Sequence, residues 1–186
     1  MAELAELAER IGDRWNGAIA LNNLGDLALQ SGEWERVVEL CGRSSILRRD
    51  LGDEWGMALA LANVAMAELH LGRLSSAAVS VRAALEASMK VNAKMVVAAC
   101  IDTSVLIATA LGNVLEAALL VGASERTHEE LGSVRDGFEA ELFARTIASL
   151  RESLDADAYA AAVRHGRELT LEEAAASALA ATGHLD

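Results

Sequence analysis

The segment GDRWNGAIALNNLGDLALQSG, from Gly12 to Gly32, is followed 40 residues later by GDEWGMALALANVAMAELHLG, from Gly52 to Gly72. Alignment of residues 12–51 with residues 52–91 gives nine identical pairs. A period of 20–50 residues is typical of arrays of stacked supersecondary units. We therefore interpret the chain as a repeat protein with a period of 40 residues.

Residues that end helices recur at the same spacing. Glycine C-caps commonly adopt the left-handed conformation, and asparagine is the non-glycine residue that best tolerates it. Asn92 stands where the series would place a glycine. The pattern predicts matching corners at Gly12, Gly32, Gly52, Gly72, Asn92, Gly112 and Gly132.

Each repeat is predicted to hold two helices, A and B. The composition is 53% hydrophobic but only 3% aromatic, with no proline, so helix-forming Ala and Leu dominate the core. Short turns between helices make neighbours antiparallel. The predicted helices span residues 14–31 and 34–50, 54–71 and 74–90, and 94–111 and 114–130.

The repeat pattern weakens after Gly132. A helix over 137–153 takes the A position, Asp155 caps a shorter helix that stops at Gly166, and Thr170 with Glu173 forms a capping box for a last helix. The prediction is an all-α fold of about nine helices. It is a single domain over 1–186, with the end of a preceding repeat (1–11), three repeats (12–51, 52–91, 92–131) and a degenerate C-terminal capping unit (132–186). Because the chain begins inside a helix B register, we expect it to be a piece of a longer array.

Charge and hydropathy exclude several classes of protein. The net charge of −12 disfavours nucleic-acid binding and docking on anionic membranes, since both need a basic surface. The sequence contains neither a signal-peptide pattern nor a long uncharged apolar run. Cys41 and Cys100 lack metal-ligand spacing, so we expect buried free thiols in a cytoplasmic protein.

The segment NLGDLALQSGEWERVVEL resembles a tetratricopeptide repeat through Leu24, Gly25, Gly32 and Val37. The later units match through Gly72, Ala77, Ala84, Gly112 and Ala117. The resemblance implies a right-handed α-α superhelix with helix A lining a concave groove. The period is longer than the family's usual length of about 34 residues, and the usual proline is missing, which is more similar to MalT-like regulators.

The C-terminal segment FEAELFARTIASLRESLDADAYAAAVRHGRELTLEEAAASALA is similar to the end of the helical-repeat region of large actinobacterial LuxR-type and AfsR-like transcriptional regulators. The matching residues are Leu150, Arg151, Leu154, Tyr159, Gly166, Leu169, Glu172, Glu173 and Ala174. The resemblance implies neighbouring ATPase and DNA-binding domains in a parent chain. This sequence itself contains no Walker A motif.

Placing helix A on the groove selects one stripe of each A helix as a binding surface, because residues three and four apart share a face. The stripe mixes amides, carboxylates, hydroxyls and a methionine, which suits a peptide or small effector. The alternative is a merely solvated polar face. The candidate residues are Asn22, Asn23, Asp26, Gln30, Asn63, Met66, His70, Asp102, Thr103 and Thr109.

Other prominent residues are predicted to be structural. Trp15 and Trp55 are expected to pack the entrance of helix A against the preceding helix, with a ligand platform as the alternative, and Trp34 is expected to do the same for helix B. Asp13 and Asp53 are expected to be helix N-caps. The THEEL segment lacks the second histidine of a zinc protease helix.

These patterns predict no catalytic, cofactor or metal site. They favour a non-catalytic interaction or effector-sensing domain of a cytoplasmic transcriptional regulator, whose partner is a protein, a peptide, a small effector or a neighbouring domain. One alternative is a self-associating scaffold that forms a homodimer without a ligand. A weaker alternative is a helical enzyme that uses Asp26, His70 and Asp102.

Overall fold

A computed structural model describes residues 10–135 and 137–183 of the chain. These residues form helices joined by short turns, and no strand occurs among them. The predicted all-α class is confirmed. The predicted superhelical handedness stays a prediction, and most of the predicted partial repeat at 1–11 lies outside the described residues.

Nine complete helices lie in the described part of the chain: α1 (Arg14–Gln30), α2 (Trp34–Leu51), α3 (Glu54–His70), α4 (Leu74–Lys90), α5 (Lys94–Ala110), α6 (Val114–Leu131), α7 (Gly137–Ser153), α8 (Ala156–Glu168) and α9 (Leu171–Ala181). The bounds of α1 to α7 agree with the predicted ones to within one residue, because the local end signals are strong.

The predicted corners are confirmed. The six repeat glycines have positive φ, and Asn92 has φ of 53°, so it takes the left-handed conformation in place of glycine. Asp13 accepts a hydrogen bond from the backbone N–H of Asn16, and Asp53 accepts one from Gly56, so both are N-caps. The capping box of Thr170 and Glu173 is also present.

The chain divides into two compact units, one reaching Val96 and the other beginning at Val97. In the first unit, α2 packs against both α1 and α3, and α3 packs against α4. Small residues permit this close packing: Val37 and Ala77 stand at equivalent repeat positions and are fully buried. Trp34 packs against the core of this unit, as predicted for it.

In the second unit, α6 packs closely against α8 and makes only slight contact with α7. A Cβ on Gly122 would collide with the carbonyl oxygen of Val163, and a Cβ on Gly166 would collide with that of Leu119. The prediction that α8 stops at Gly166 is therefore wrong. This glycine lies inside the helix because the backbones of α6 and α8 approach too closely for any side chain.

Candidate functional site

The ten candidate groove residues do not form one exposed stripe. In the first unit, Asn23 and Gln30 are exposed, whereas Asn22 is only 2% exposed and Met66 is also buried. In the second unit, Thr103 is 2% exposed. The expectation that Asn22, Met66 and Thr103 line an open surface is therefore wrong. Neighbouring residues of a helix point in different directions, so part of the predicted stripe lies against the core.

Asp26 is the centre of a polar cluster between α1 and α3. The Nδ2 atom of Asn63 donates to Asp26 Oδ1 at 2.6 Å, and the Nδ2 atom of Asn22 donates to Asp26 Oδ2 at 3.2 Å. Asn63 Nδ2 also lies 3.9 Å from the sulfur of Cys41. Asn22 Oδ1 is buried without a hydrogen-bond partner among the described residues. Three residues of the predicted stripe, Asn22, Asp26 and Asn63, thus form a hydrogen-bonded amide–carboxylate cluster.

The Asp26 cluster contains a carboxylate that is in direct contact with no cation of the described residues. Burial raises the pKa of Asp26, and this effect exceeds the lowering by the Asn63 hydrogen bond and by the more distant charge of Arg48. Burial also raises the pKa of the Cys41 and Cys100 thiols to about 12. Both cysteines are free and buried, as predicted, and at neutral pH their thiols are protonated and unreactive.

His70 is engaged by an aromatic neighbour. Its ring stacks on the indole of Trp34 with centroids 3.9 Å apart and an angle of 2° between the planes. The stack places His70 at the margin of the first unit's core, which includes Val37 and Cys41. His70 is therefore a packing residue in addition to a candidate binding residue.

Asp102 is the centre of a denser network in the second unit. Arg135 donates to both carboxylate oxygens at 2.7 Å, and His128 Nε2 lies 2.9 Å from Oδ2. Ser124 makes short contacts with both Asp102 and Arg135. The guanidinium of Arg135 lies over the ring of Phe143, 3.8 Å from its centroid. The network therefore ties together α5, α6, α7 and the segment between α6 and α7.

The charge partners determine the protonation state of Asp102. Burial by itself raises its pKa, but hydrogen bonds from His128 and Arg135, the charge of Arg135 and the hydrogen bond from Ser124 together outweigh burial and lower the pKa. Asp102 is thus an ionised, fully paired carboxylate. This corrects the expectation that its carboxylate is presented to a ligand, because its oxygens are already occupied.

The two threonines of the candidate stripe on α5 bond to their own helix. Thr103 Oγ1 donates to the carbonyl of Ala99 at 3.0 Å, and Thr109 Oγ1 donates to that of Val105 at 2.8 Å. Both hydroxyl protons are therefore used within the helix.

His128 connects a serine and an aspartate, as in a hydrolase triad. Its Nδ1 lies 2.8 Å from Ser133 Oγ, and its Nε2 faces Asp102. In a triad the carboxylate stabilises the imidazolium that forms during the reaction. Here Arg135 already compensates the charge of Asp102. We therefore interpret Ser133, His128 and Asp102 as parts of a structural network.

The first unit contains a buried ion pair at the α2-to-α3 corner. Arg48 Nη1 lies 2.5 Å from Asp53 Oδ2, and Arg48 Nε donates to Ser44 Oγ at 3.3 Å. Ser44 and Arg48 correspond, two periods later, to Ser124 and His128. Polar residues at otherwise apolar helix B positions were thus the signal that could have predicted the Asp102 network.

Exposed apolar side chains recur at the corners of the first unit. Trp15 and Trp55 are 51% and 52% exposed, so each keeps about half of its surface open to solvent, and the predicted packing of the helix entrance can cover no more than the rest. Both tryptophans are the second residue of their helices. We define the apolar edge as the exposed apolar residues at two repeat positions: the residue just before each corner glycine or asparagine (Ile11, Leu51, Val91) and the residue three places after it (Trp15, Trp55, Met95).

Comparison with known proteins leaves the family open: no protein-family model matches the chain, and no curated protein and no solved structure gives a match. No group of three or more metal-ligating side chains lies together in the described ranges. Within the same ranges, every helix is too short or too polar to span a lipid bilayer.

Proposed function

We propose that the chain is a non-catalytic protein-interaction domain that binds a partner along the apolar edge. The observation that carries the proposal is the edge itself: two exposed apolar residues occur at equivalent positions in three successive corners. Isolated exposed apolar residues are ordinary, but a periodic row that includes two tryptophans is typical of an interface.

The charge of the chain favours a basic partner. Arg14 pairs with Asp50 at 2.6 Å, and Glu54 pairs with Lys90 at 3.8 Å, so the charges beside the edge largely neutralise each other. The whole chain nevertheless carries a net charge of −12. We therefore expect a protein segment with apolar anchors flanked by Lys or Arg, which the acidic chain attracts over a distance.

The same charge disfavours the alternative of a self-associating scaffold, because two copies with a net charge of −12 each repel one another. We expect light scattering to give the mass of a monomer at low ionic strength. A dimer that dissociates when Trp15 and Trp55 are replaced by Ser would favour self-association at the edge instead.

The resemblance to LuxR-type and AfsR-like regulators supports a place for the domain in a cytoplasmic transcriptional regulator. In that setting, binding at the edge would bias a neighbouring ATPase domain. The candidate groove residues Asn23 and Gln30, which are exposed, provide the competing location for the partner.

A random-peptide display selection against the folded chain tests the proposal. We expect basic, apolar peptides to be enriched, and their binding to shift tryptophan emission to the blue as Trp15 and Trp55 lose water. The double variant W15S/W55S should weaken binding at least tenfold, since aromatic anchors dominate interfaces. The control Val79→Ser alters a residue that is 68% exposed outside the edge and should leave binding unchanged.

Two outcomes contradict the edge. Peptides that bind W15S/W55S as tightly as the unchanged chain would exclude it. If Asn23→Ala and Gln30→Ala lose binding while W15S/W55S binds normally, the partner binds at the predicted groove instead.

A further inference from the structure

A surface cavity of about 520 Å³ lies in the second unit between α7 and α8. Slight contact between these helices leaves the space open. The residues that line it are Arg151, Ala156, Tyr159, Ala160, Val163, Arg164 and Arg167. This volume lies within the range of about 300–1,000 Å³ that is usual for small-molecule sites.

One face of α8 forms most of the cavity. Tyr159 and Val163 are four residues apart, as are Ala160 and Arg164, so they share a side of the helix. Around the helix, Ala162 and Gly166 are buried, and Gly166 meets α6. Helix α8 is thus anchored on one face while the adjacent face presents an apolar floor to solvent.

Three guanidinium groups line this floor in a chain that has only 16 Lys and Arg residues and a net charge of −12. Arg167 is held by Glu129 at 2.6 Å and by Glu125 at 3.4 Å, so its charge is largely compensated. Arg151 lies over the ring of Tyr159, 5.3 Å from the centroid. Arg151 and Arg164 have no carboxylate partner in the described part of the chain.

We propose that this cavity binds a small organic anion with an apolar body, such as an aromatic or aliphatic carboxylate, sulfonate or phosphate. The apolar body lies on Tyr159 and Val163, and the anionic group meets Arg151 and Arg164. Planar guanidinium donors match such groups in charge and in hydrogen-bond geometry. The site is independent of the apolar edge and lies outside the predicted groove.

Fluorescence titration with 8-anilinonaphthalene-1-sulfonate tests the site, because this probe combines an aromatic body with a sulfonate. We expect one saturable site whose affinity falls with added salt. Decanoate should displace the probe, whereas decylammonium should not. Arg151→Gln and Arg164→Gln should each weaken probe binding about tenfold, the loss expected for one charge-assisted contact.

Matched variants distinguish a loss of the cavity site from a general loss of positive charge and from unfolding. Arg145→Gln removes the same charge from an exposed position on α7 outside the cavity and should leave affinity unchanged. Ala160→Phe fills the cavity and should abolish binding. Near-ultraviolet circular dichroism must show that each variant is folded.

Three results would overturn the assignment. The first is equal binding by the unchanged chain, R151Q and R164Q, and the second is an equal loss in R145Q. The third is displacement of the probe by an acidic peptide but not by decanoate, which would make the cavity a protein-docking site.

Discussion

Asp26 and Asp102 are both aspartates on A helices, yet their surroundings have opposite effects. Among the described residues Asp26 receives hydrogen bonds from two amides, and burial dominates, so its pKa is raised. Asp102 receives an arginine, a histidine and a serine, and its pKa is lowered despite burial. The comparison shows that burial alone does not predict the charge state of a carboxylate; the partners that other elements bring to it do.

The two clusters also differ in what they hold together. The Asp26 cluster joins α1 and α3, two helices that both pack closely against α2 in the regular repeats. The Asp102 network joins Arg135, in the irregular segment between α6 and α7, to α5. We infer that the second unit depends on its polar network more strongly than the first unit depends on Asp26, since that network includes a buried ion pair and a residue from outside the repeats.

The largest expected effect follows from breaking the Asp102–Arg135 pair. Arg135→Met leaves Asp102 buried without its cation and should lower the free energy of unfolding by about 3–5 kcal/mol. The double variant D102N/R135M should recover part of this loss, because it removes the unpaired charge. Urea unfolding measures the free energy of unfolding of both variants. It should be followed by far-ultraviolet circular dichroism and not by tryptophan fluorescence, because all three tryptophans lie in the first unit.

The matched comparison is Arg126→Met, which removes an exposed arginine bonded to Glu130 and to the carbonyl of Arg167. It should cost about 1 kcal/mol or less. Equal losses for Arg135→Met and Arg126→Met would contradict a special role of the Asp102 network.

A smaller effect is expected from the glycines. Gly166→Ala places a methyl group on the carbonyl oxygen of Leu119 and should cost about 1–3 kcal/mol, because the backbones of α6 and α8 must separate. Gly42 lies within α2, and a Cβ added there would meet no side chain or neighbouring helix. Gly42→Ala should stabilise the chain by about 0.5–1 kcal/mol. Thermal unfolding distinguishes the two, and a stabilising Gly166→Ala would exclude the close crossing.

The repeat was predictable because its signals are local. A glycine or asparagine at a corner, and an aspartate just before a helix, specify their own backbone geometry whatever surrounds them. Asn92 illustrates this, since its left-handed conformation followed from its place in the series. The helix bounds of the three repeats followed for the same reason.

Long-range contacts were not predictable from the period. Arg135 lies 33 residues from Asp102 and outside the repeat pattern, so nothing local links the two. The sequence predicts a helix end at Gly166, because glycine is found more often at helix ends than at close contacts between two helices. Ala118 with Gly122, and Ala162 with Gly166, each place two small residues four apart, which is the sequence signal of a close crossing.

The candidate binding stripe was only partly predictable because one helix face contains both exposed and buried positions. Asn23 is exposed, whereas the adjacent Asn22 turns into the core. The exposed edge at Trp15 and Trp55 was missed because aromatic residues in a repeat are usually taken as core residues. Both lie in the first turn of a helix, and both are about half exposed.

The smallest expected effect concerns Asp26, where the change in the free energy of unfolding should have the opposite sign to the change at Asp102. Asp26→Asn removes a partly buried charge and supplies an N–H₂ group that can donate a hydrogen bond to the unpartnered Asn22 Oδ1. We expect the free energy of unfolding at pH 7 to rise by as much as about 1 kcal/mol, whereas Asp102→Asn should lower it.

The pH dependence of unfolding should differ in the same way. Because the native pKa of Asp26 is raised, the native state takes up its proton first, so this residue's unfavourable contribution at neutral pH is relieved as the pH falls through that native pKa. The native pKa of Asp102 is lowered, so its favourable contribution is lost as the pH falls from the unfolded pKa through the native one. Urea unfolding between pH 7 and acid should therefore show a steeper loss in D26N than in the unchanged chain, and a shallower loss in D102N. Parallel profiles for all three proteins would mean that the two carboxylates have equivalent surroundings.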